Sequence, residues 1–366
     1  MGKSIGRRPI HQSENQTGLE RGKTMREKIL QAIRKNEIQT YSVTEKTTEG
    51  AELYFIKKDL DMRRMKKDAY SEVTIYRDFE VDGKKMRGSA DINIFPEMTQ
   101  EEVDKAVSGA FYAASFVKNP YFEIPKGKKE DKVEVESTLC GKSLEEIGDA
   151  FVKALYCVDV QEDAFINTAE FFMDKTWTAI YNSEGVDVSY EKNSVRGEFV
   201  VQCITPQDVE QYQEFAYDDL DTEALTRQVE EALARVRDRA NATEAPEKGN
   251  YKLLLSGKEL RQLMDFYMRR SSSGMIYPGY SNYKMGMNVQ GDEVRGEKLN
   301  LTLHASTPYS TEGIPMKDLE LLKEGELKAI PGNARFAYYL GVEPTGNYSA
   351  VKLDNGTKAF EEMKQD

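Results

Sequence analysis

Histidine is nearly absent from this chain: two residues in 366, His11 and His304. A metal centre that needs two imidazoles from one helix therefore finds no ligands on any helical stretch. Cysteine is also scarce. Cys140, Cys157 and Cys203 form no C-x-x-C pair, and an odd, sparse count fits a reducing cytoplasm rather than a disulfide framework. All three are expected to be small buried hydrophobes. No apolar run approaches the roughly 18 residues of a membrane span, and the basic, polar N-terminus has no apolar core of a secretory signal. Positive charge is in deficit. Lys plus Arg is 51 against 63 for Asp plus Glu, so the net charge is −12, which repels phosphate backbones and disfavours non-specific nucleic-acid binding. G-x-S-x-G, P-loop and dinucleotide fingerprints are missing in any suitable context.

What is present reads as a globular protein of two domains, with 39% hydrophobic and 31% charged residues. Residues 1–24 are polar and without periodicity, and are expected to be a disordered tail. Met25, Ile29 and Ile33 then recur at helical spacing and open a first domain, 25–220. Strands are expected at Ala51 to Ile56 and Ser71 to Tyr76, separated by a charged, solvated segment that contains Arg63, Arg64, Lys66 and Lys67. Asp82-Gly83 is a hairpin turn. Thr99 with Glu102, and Ser143 with Glu146, have the spacing of capping boxes and start two helices. Strands return at Phe165 to Glu170, Trp177 to Tyr181 and Glu198 to Ile204. Asp221 is the expected N-cap of a helix with the stripe Leu225, Val229, Ala232, Leu233 and Val236, followed by a linker that ends at Gly249. The second domain, 250–366, opens with a short buried-type strand at Tyr251 to Leu255 and a third capping box, Ser256 with Glu259.

The most informative stretch runs from Leu299 to Val351. Leu299, Leu301 and Leu303 alternate with Asn300, Thr302 and His304, the period of a half-buried strand. Glu324-Gly325-Glu326 joins two short apolar runs as a hairpin would. In order, Thr311-Glu312-Gly313, the segment from Leu321 to Leu327, Ala337 to Gly341 and Thr345-Gly346-Asn347 resemble the motif series of the TldD/PmbA family, whose PmbA branch is also called TldE. Asn182 to Val186 resembles that family's N-S-x-G turn, and Tyr280 to Gly286 its S….G loop.

The resemblance implies an α+β fold: an N-terminal sheet-plus-helices domain, a helix and linker at 221–249, and a mainly β, barrel-like C-terminal domain. It implies further strands after the T-G-N element, whereas the sequence ends at Asp366; either this is a truncated form or the final strands are absent, and unpaired edge strands are expected. Catalytic TldD-type members carry H-E-x-x-x-H on a helix, with histidines to bind zinc and a glutamate to activate water. The helix from Ser256 has no histidine, and His304 has no neighbouring ligand, so no catalytic or metal residue is expected here. The resemblance therefore points to the TldE-like branch. The expected function is that of a non-catalytic, cytoplasmic subunit of a heteromeric zinc protease that acts on peptides and unfolded segments, with zinc in the TldD-type partner and no nucleic acid or membrane contact. Ser281, Gly286, His304, Glu312, Gly313, Thr345, Gly346 and Asn347 are the candidates for lining the peptide cavity or interface. The rival readings are a stand-alone homodimeric peptide-binding scaffold and a metal-independent hydrolase. The family's older association with DNA gyrase gains nothing from an acidic chain.

Overall fold

A computed structural model describes residues 18–160 and 163–365, with side chains from residue 24 onward. The first region contains α1 (Gly18–Lys35), β1 (Thr40–Ile56), β2 (Asp59–Val81), β3 (Lys84–Ile94), α2 (Gln100–Ala114), β4 (Asn119–Pro120) and β5 (Val133–Glu134). It continues with α3 (Leu144–Tyr156), β6 (Ala164–Asn182), β7 (Asp187–Cys203), β8 (Val209–Tyr217) and α4 (Thr222–Asn241). The second contains α5 (Gly257–Ser271), α6 (Ser273–Ile276), β9 (Leu301–His304), β10 (Leu319–Lys323), β11 (Glu326–Leu327), α7 (Ala334–Leu340), β12 (Ala350–Leu353) and α8 (Phe360–Gln365). The fold class is α+β, as expected.

Eight strands make the large sheet, in the order β4-β3-β2-β1-β6-β7-β5 with β8 on β7. Period-two alternation divides its two faces. On β1, Val43, Ala51 and Phe55 are buried under helices, while Ser42, Thr44, Lys46 and Thr48 face the other way. α1 and α2 cover one end of the apolar face through Met25, Ile29, Ile33, Val103 and Val107, against Val73, Ile75 and Ile94. α3 and α4 cover the other end through Phe151, Leu155, Val229 and Val236, against Phe171, Phe199 and Val201. All four helices thus lie on one side, and the opposite face is polar.

The local signals mostly operate as expected. Thr99 and Ser143 each make both halves of a capping box, and the Asp221 carboxylate accepts from the Ala224 N–H. Both residues of the Asp82-Gly83 turn have positive φ, 51° and 73°, as a two-residue turn matched to strand twist requires.

Several expectations are corrected. The helix expected at Met25 begins at Gly18, so residues 18–24 are helical; residues 1–17 of the expected tail lie outside the described residues. The strands are longer than their most β-prone segments: β2 runs through the charged stretch from Asp59, because its backbone pairs with β1 from Ile56 back to Thr40. Cys203 is buried, but Cys140 and Cys157 are exposed. Cys140 lies in the turn before α3, and Cys157 caps the C-terminus of that helix, where the chain leaves the core. Tyr251 to Leu255 has no ladder and lies in the open, with Leu253 82% exposed, because no neighbouring strand presents an edge to it. Ser256 makes no side-chain cap bond. Among the described residues the second region holds four helices and an open sheet, β11-β10-β9-β12, rather than a barrel. Four strands of two to five residues cannot supply the tilt and stagger that closure needs. Leu301, Leu303, Leu321, Leu322 and Leu327 form that sheet's core. No described helix is long and apolar enough to cross a membrane.

Candidate functional site

The polar face of the large sheet meets the second region at one end. Strand register sets the floor of this junction: Ser42 pairs with Thr74 and Thr44 with Glu72 across β1 and β2, and Thr74 pairs with Asp91 and Tyr76 with Ser89 across β2 and β3. Directly opposed residues point to the same face, so all seven side chains lie together. The roof is the 305–318 loop and the start of α7. Thr44 Oγ1 donates to the Thr311 carbonyl at 3.1 Å, Lys192 Nζ to Ser306 O at 3.0 Å and Tyr309 Oη to Glu130 Oε2 at 2.7 Å. Tyr309 also packs on Ile180, Val186 and Val188. Arg335 Nη2 donates to Asn119 Oδ1 at 2.7 Å, and Tyr339 Oη to Pro120 O at 2.6 Å.

Between floor and roof lies a cavity of about 250 Å3, lined by the seven sheet residues together with Phe122, Thr311, Glu312, Asn333 and Arg335. Glu312 enters from the roof. Its Oε2 accepts the Ala334 N–H at 2.9 Å, and burial pushes its carboxyl above the usual range, partly offset by that bond. Burial also raises the Tyr76 hydroxyl, and the charges of Glu312 and Asp91 push it the same way, against the pull of Arg87. Thr74 Oγ1 donates to Asp91 Oδ1 at 2.6 Å. The Arg335 guanidinium sits among the rings of Phe336, Tyr339 and Phe122, with its carbon 5.1, 5.7 and 5.9 Å from their centres, and its buried Nε has no acceptor.

Residues 248–366 match the family model of the PmbA/TldA metallopeptidase C-terminal domain. No curated protein matches the chain. Among solved structures, TldE from Thermococcus kodakarensis has the same fold, with a TM-score of 0.67 at 17% identity over 92% of this chain and 79% of that one. A candidate modulator of a DNA gyrase from Thermotoga maritima gives 0.66 at 20% identity, over 93% and 79% of the two chains. Another, from Bacteroides thetaiotaomicron, gives 0.66 at 12% identity, over 95% and 80%. The second region therefore carries a domain similar to the PmbA/TldA C-terminal domain, and the chain as a whole shares the fold of these structures.

α5 has no histidine, and among the described residues no three His, Cys, Asp or Glu side chains converge on a point. His304 ends β9, exposed, with Nδ1 2.8 Å from Asp318 Oδ1. Asp318 also accepts from Lys352 Nζ and the Ala305 N–H, and these donors hold its carboxyl down at about 2.

Of the residues singled out from sequence, the structure brings four together at the roof. Glu312 lines the cavity. Gly313 has φ 77° and lies against Val186, where a Cβ would come within 2.4 Å of the valine Cγ1. Gly346, with φ 78°, is buried against Ser310 and Met316. Thr345 Oγ1 accepts the Gly332 N–H at 3.2 Å, and the Gly346 N–H donates to Gly332 O at 3.0 Å, which ties this element to the segment before α7. Thr345, Gly346 and the exposed Asn347 lie outside the cavity lining, as do Ser281, Gly286 and His304. Ser281 is buried in the loop after α6, with its Oγ accepting the Tyr283 N–H, and Gly286 donates its N–H to Leu327 O beside β11. Sequence reasoning missed Thr44, Glu72, Tyr76, Asp91 and Arg335. The signal was there as polar residues of period two on β1 to β3, but it becomes a site only when their register is known.

Proposed function

We propose that this chain is the non-catalytic, TldE-like subunit of a two-subunit zinc peptidase, and that it supplies one wall of the chamber in which peptides and unfolded segments are held. The observation that carries the reading is the combination, in one family fold, of an α5 without histidine and a polar cavity between the sheet and the 305–318 loop. A chain that lacks imidazole pairs cannot hold zinc in the family's manner, so its contribution to hydrolysis is to bind and orient substrate. The polar sheet face suits a peptide because serine, threonine and tyrosine hydroxyls both donate to carbonyls and accept from amides, without demanding a side-chain sequence.

The test is co-purification with a TldD-type protein, followed by cleavage of an unstructured peptide with and without zinc. The complex should cleave only with zinc, and this chain alone should cleave nothing. Hydrolysis by the isolated chain, with about one zinc bound per chain and lost in His304→Ala, would sink the proposal.

A further inference from the structure

We infer that the open edge of β3 binds an extended peptide segment of alternating apolar and basic residues, which pairs with it as an added antiparallel strand. Binding there is independent of the reading above. β3 pairs with β2 along its whole length but with β4 only at Met86 and Arg87. The Tyr121 N–H donates to Lys85 O at 3.2 Å, so Lys85 turns its carbonyl outward, away from β2. Alternation along an antiparallel strand turns the N–H and C=O of Arg87, Ser89, Asp91 and Asn93 the same way. α2 closes the edge at Gly88, where a Cβ would run into Ala114 O. From Ser89 to Asn93 no described strand takes up those outward groups. Two other edges of the large sheet are guarded. On β8, Gln228 Nε2 donates to Glu214 O at 2.8 Å and Arg239 Nη1 to Glu210 O at 3.1 Å, so α4 occupies the carbonyls of that edge. The part of β2 beyond the reach of β3 carries Arg63, Arg64, Lys66 and Lys67, charges that oppose strand addition.

A groove of about 460 Å3 runs beside this edge, lined by Ala90 and Ile92 of β3 and by Ala106, Gly109, Ala110 and Ala113 of α2. Ala90 and Ile92 oppose Ile75 and Val73, so they lie on the helix-covered face. An added strand sends every second side chain into the groove between them and α2, where apolar groups fit. Its intervening side chains fall on the polar face, beside the exposed Asp91 and Glu72. A lysine or arginine directly across from Asp91 forms an opposite-charge cross-strand pair, and an acid there is repelled. The charges around the groove favour the same sign of ligand. Asp91 and Glu102 line it against Lys105, and Glu97 and Glu101 are exposed in the loop and first helical turn that close its end. A second copy of this acidic chain would bring the same acids together, so a peptide of opposite charge is the better fit.

The experiment measures fluorescence anisotropy of labelled nonapeptides of alternating valine and lysine, blocked at both ends, with the purified full chain. In the inferred pairing the lysine amides face β3 and the valine amides face away. N-methylation of the lysine amides should therefore weaken binding at least tenfold, and N-methylation of the valine amides far less. Glutamate in place of lysine should also weaken it at least tenfold, and Asp91→Lys should reverse that preference. Gly109→Leu fills the groove from an exposed helical position where a Cβ meets nothing within 4 Å, so it should keep the melting temperature and lose at least tenfold in affinity. Absence of binding, equal binding of the two N-methylated peptides, equal binding of the lysine and glutamate peptides, or an affinity unchanged in Gly109→Leu would each overturn the inference. A concentration-dependent dimer in light scattering that Gly109→Leu abolishes would overturn it in favour of a second copy at this edge.

Discussion

Glu45 offers the sharpest test of the physical reasoning. It sits on β1 beside Thr44 but points to the opposite face, beneath α1, and is 2% exposed. Its Oε1 accepts the Tyr181 hydroxyl at 2.8 Å, and the Arg26 guanidinium stacks 4.0 Å over the tyrosine ring while forming a bidentate pair with Asp187 at 3.0 and 2.9 Å. Burial pushes the Glu45 carboxyl from 4.5 up to about 7, against the pull of the Tyr181 hydrogen bond and of Arg26. A carboxyl with a raised folded-state pKa binds its proton more tightly folded than unfolded. Stability is therefore greatest below about 4.5 at this group and declines as pH rises towards 7. At about 1.4 kcal/mol per tenfold change in proton affinity, the loss is on the order of 3 kcal/mol. Glu45→Gln keeps an acceptor for Tyr181 and removes the charge. We expect it to be neutral or destabilising by up to about 1 kcal/mol near pH 5, where its extra amide donor lacks an acceptor. At pH 8 it should be stabilising by roughly 1–3 kcal/mol. Urea denaturation of both proteins at pH 5, 6, 7 and 8 gives the comparison directly. Parallel stability profiles across that range would refute the reasoning, because they would show that Glu45 carries no proton that folding changes.

Gly346→Val should lower the melting temperature, with a loss of roughly 1–3 kcal/mol, because φ is 78° and a Cβ would lie 2.7 Å from the Ser310 Cβ. Thermal unfolding by circular dichroism checks it. Asp318→Asn removes a carboxylate held at about 2 by Lys352 first, then the Ala305 N–H and His304. That stabilisation is present above the unfolded value of 3.8 and lost as pH falls towards 2, and at this exposed site it should amount to less than about 1 kcal/mol in denaturant titrations at pH 6. Thr99→Ala breaks both halves of the α2 capping box and should cost about 1 kcal/mol by the same titration. In the native protein a thiol reagent should titrate Cys140 and Cys157 quickly and Cys203 only on unfolding; three equally fast thiols would contradict the placement of Cys203 in the core.

Local chemistry legible in the sequence reappears wherever neighbouring residues suffice. Thr99 with Glu102 and Ser143 with Glu146 cap their helices, and the α4 stripe from Leu225 to Val236 is buried, because capping and a 3.6-residue period depend on one segment alone. The scarcity of histidine likewise excludes a paired-imidazole centre on any helix, whatever the fold. Glu312 was visible as part of a turn. Its role was not, since that depends on Thr44, Glu72 and Asp91 arriving from strands more than two hundred residues away in the chain. Tyr251 to Leu255 shows the same limit in reverse. Its composition is that of a buried strand, yet it stays exposed because no edge is offered to it. A side chain's propensity is set by its own atoms and near neighbours, whereas burial, register and the company of charges are set by pairings across the sheet, and only the tertiary structure decides those.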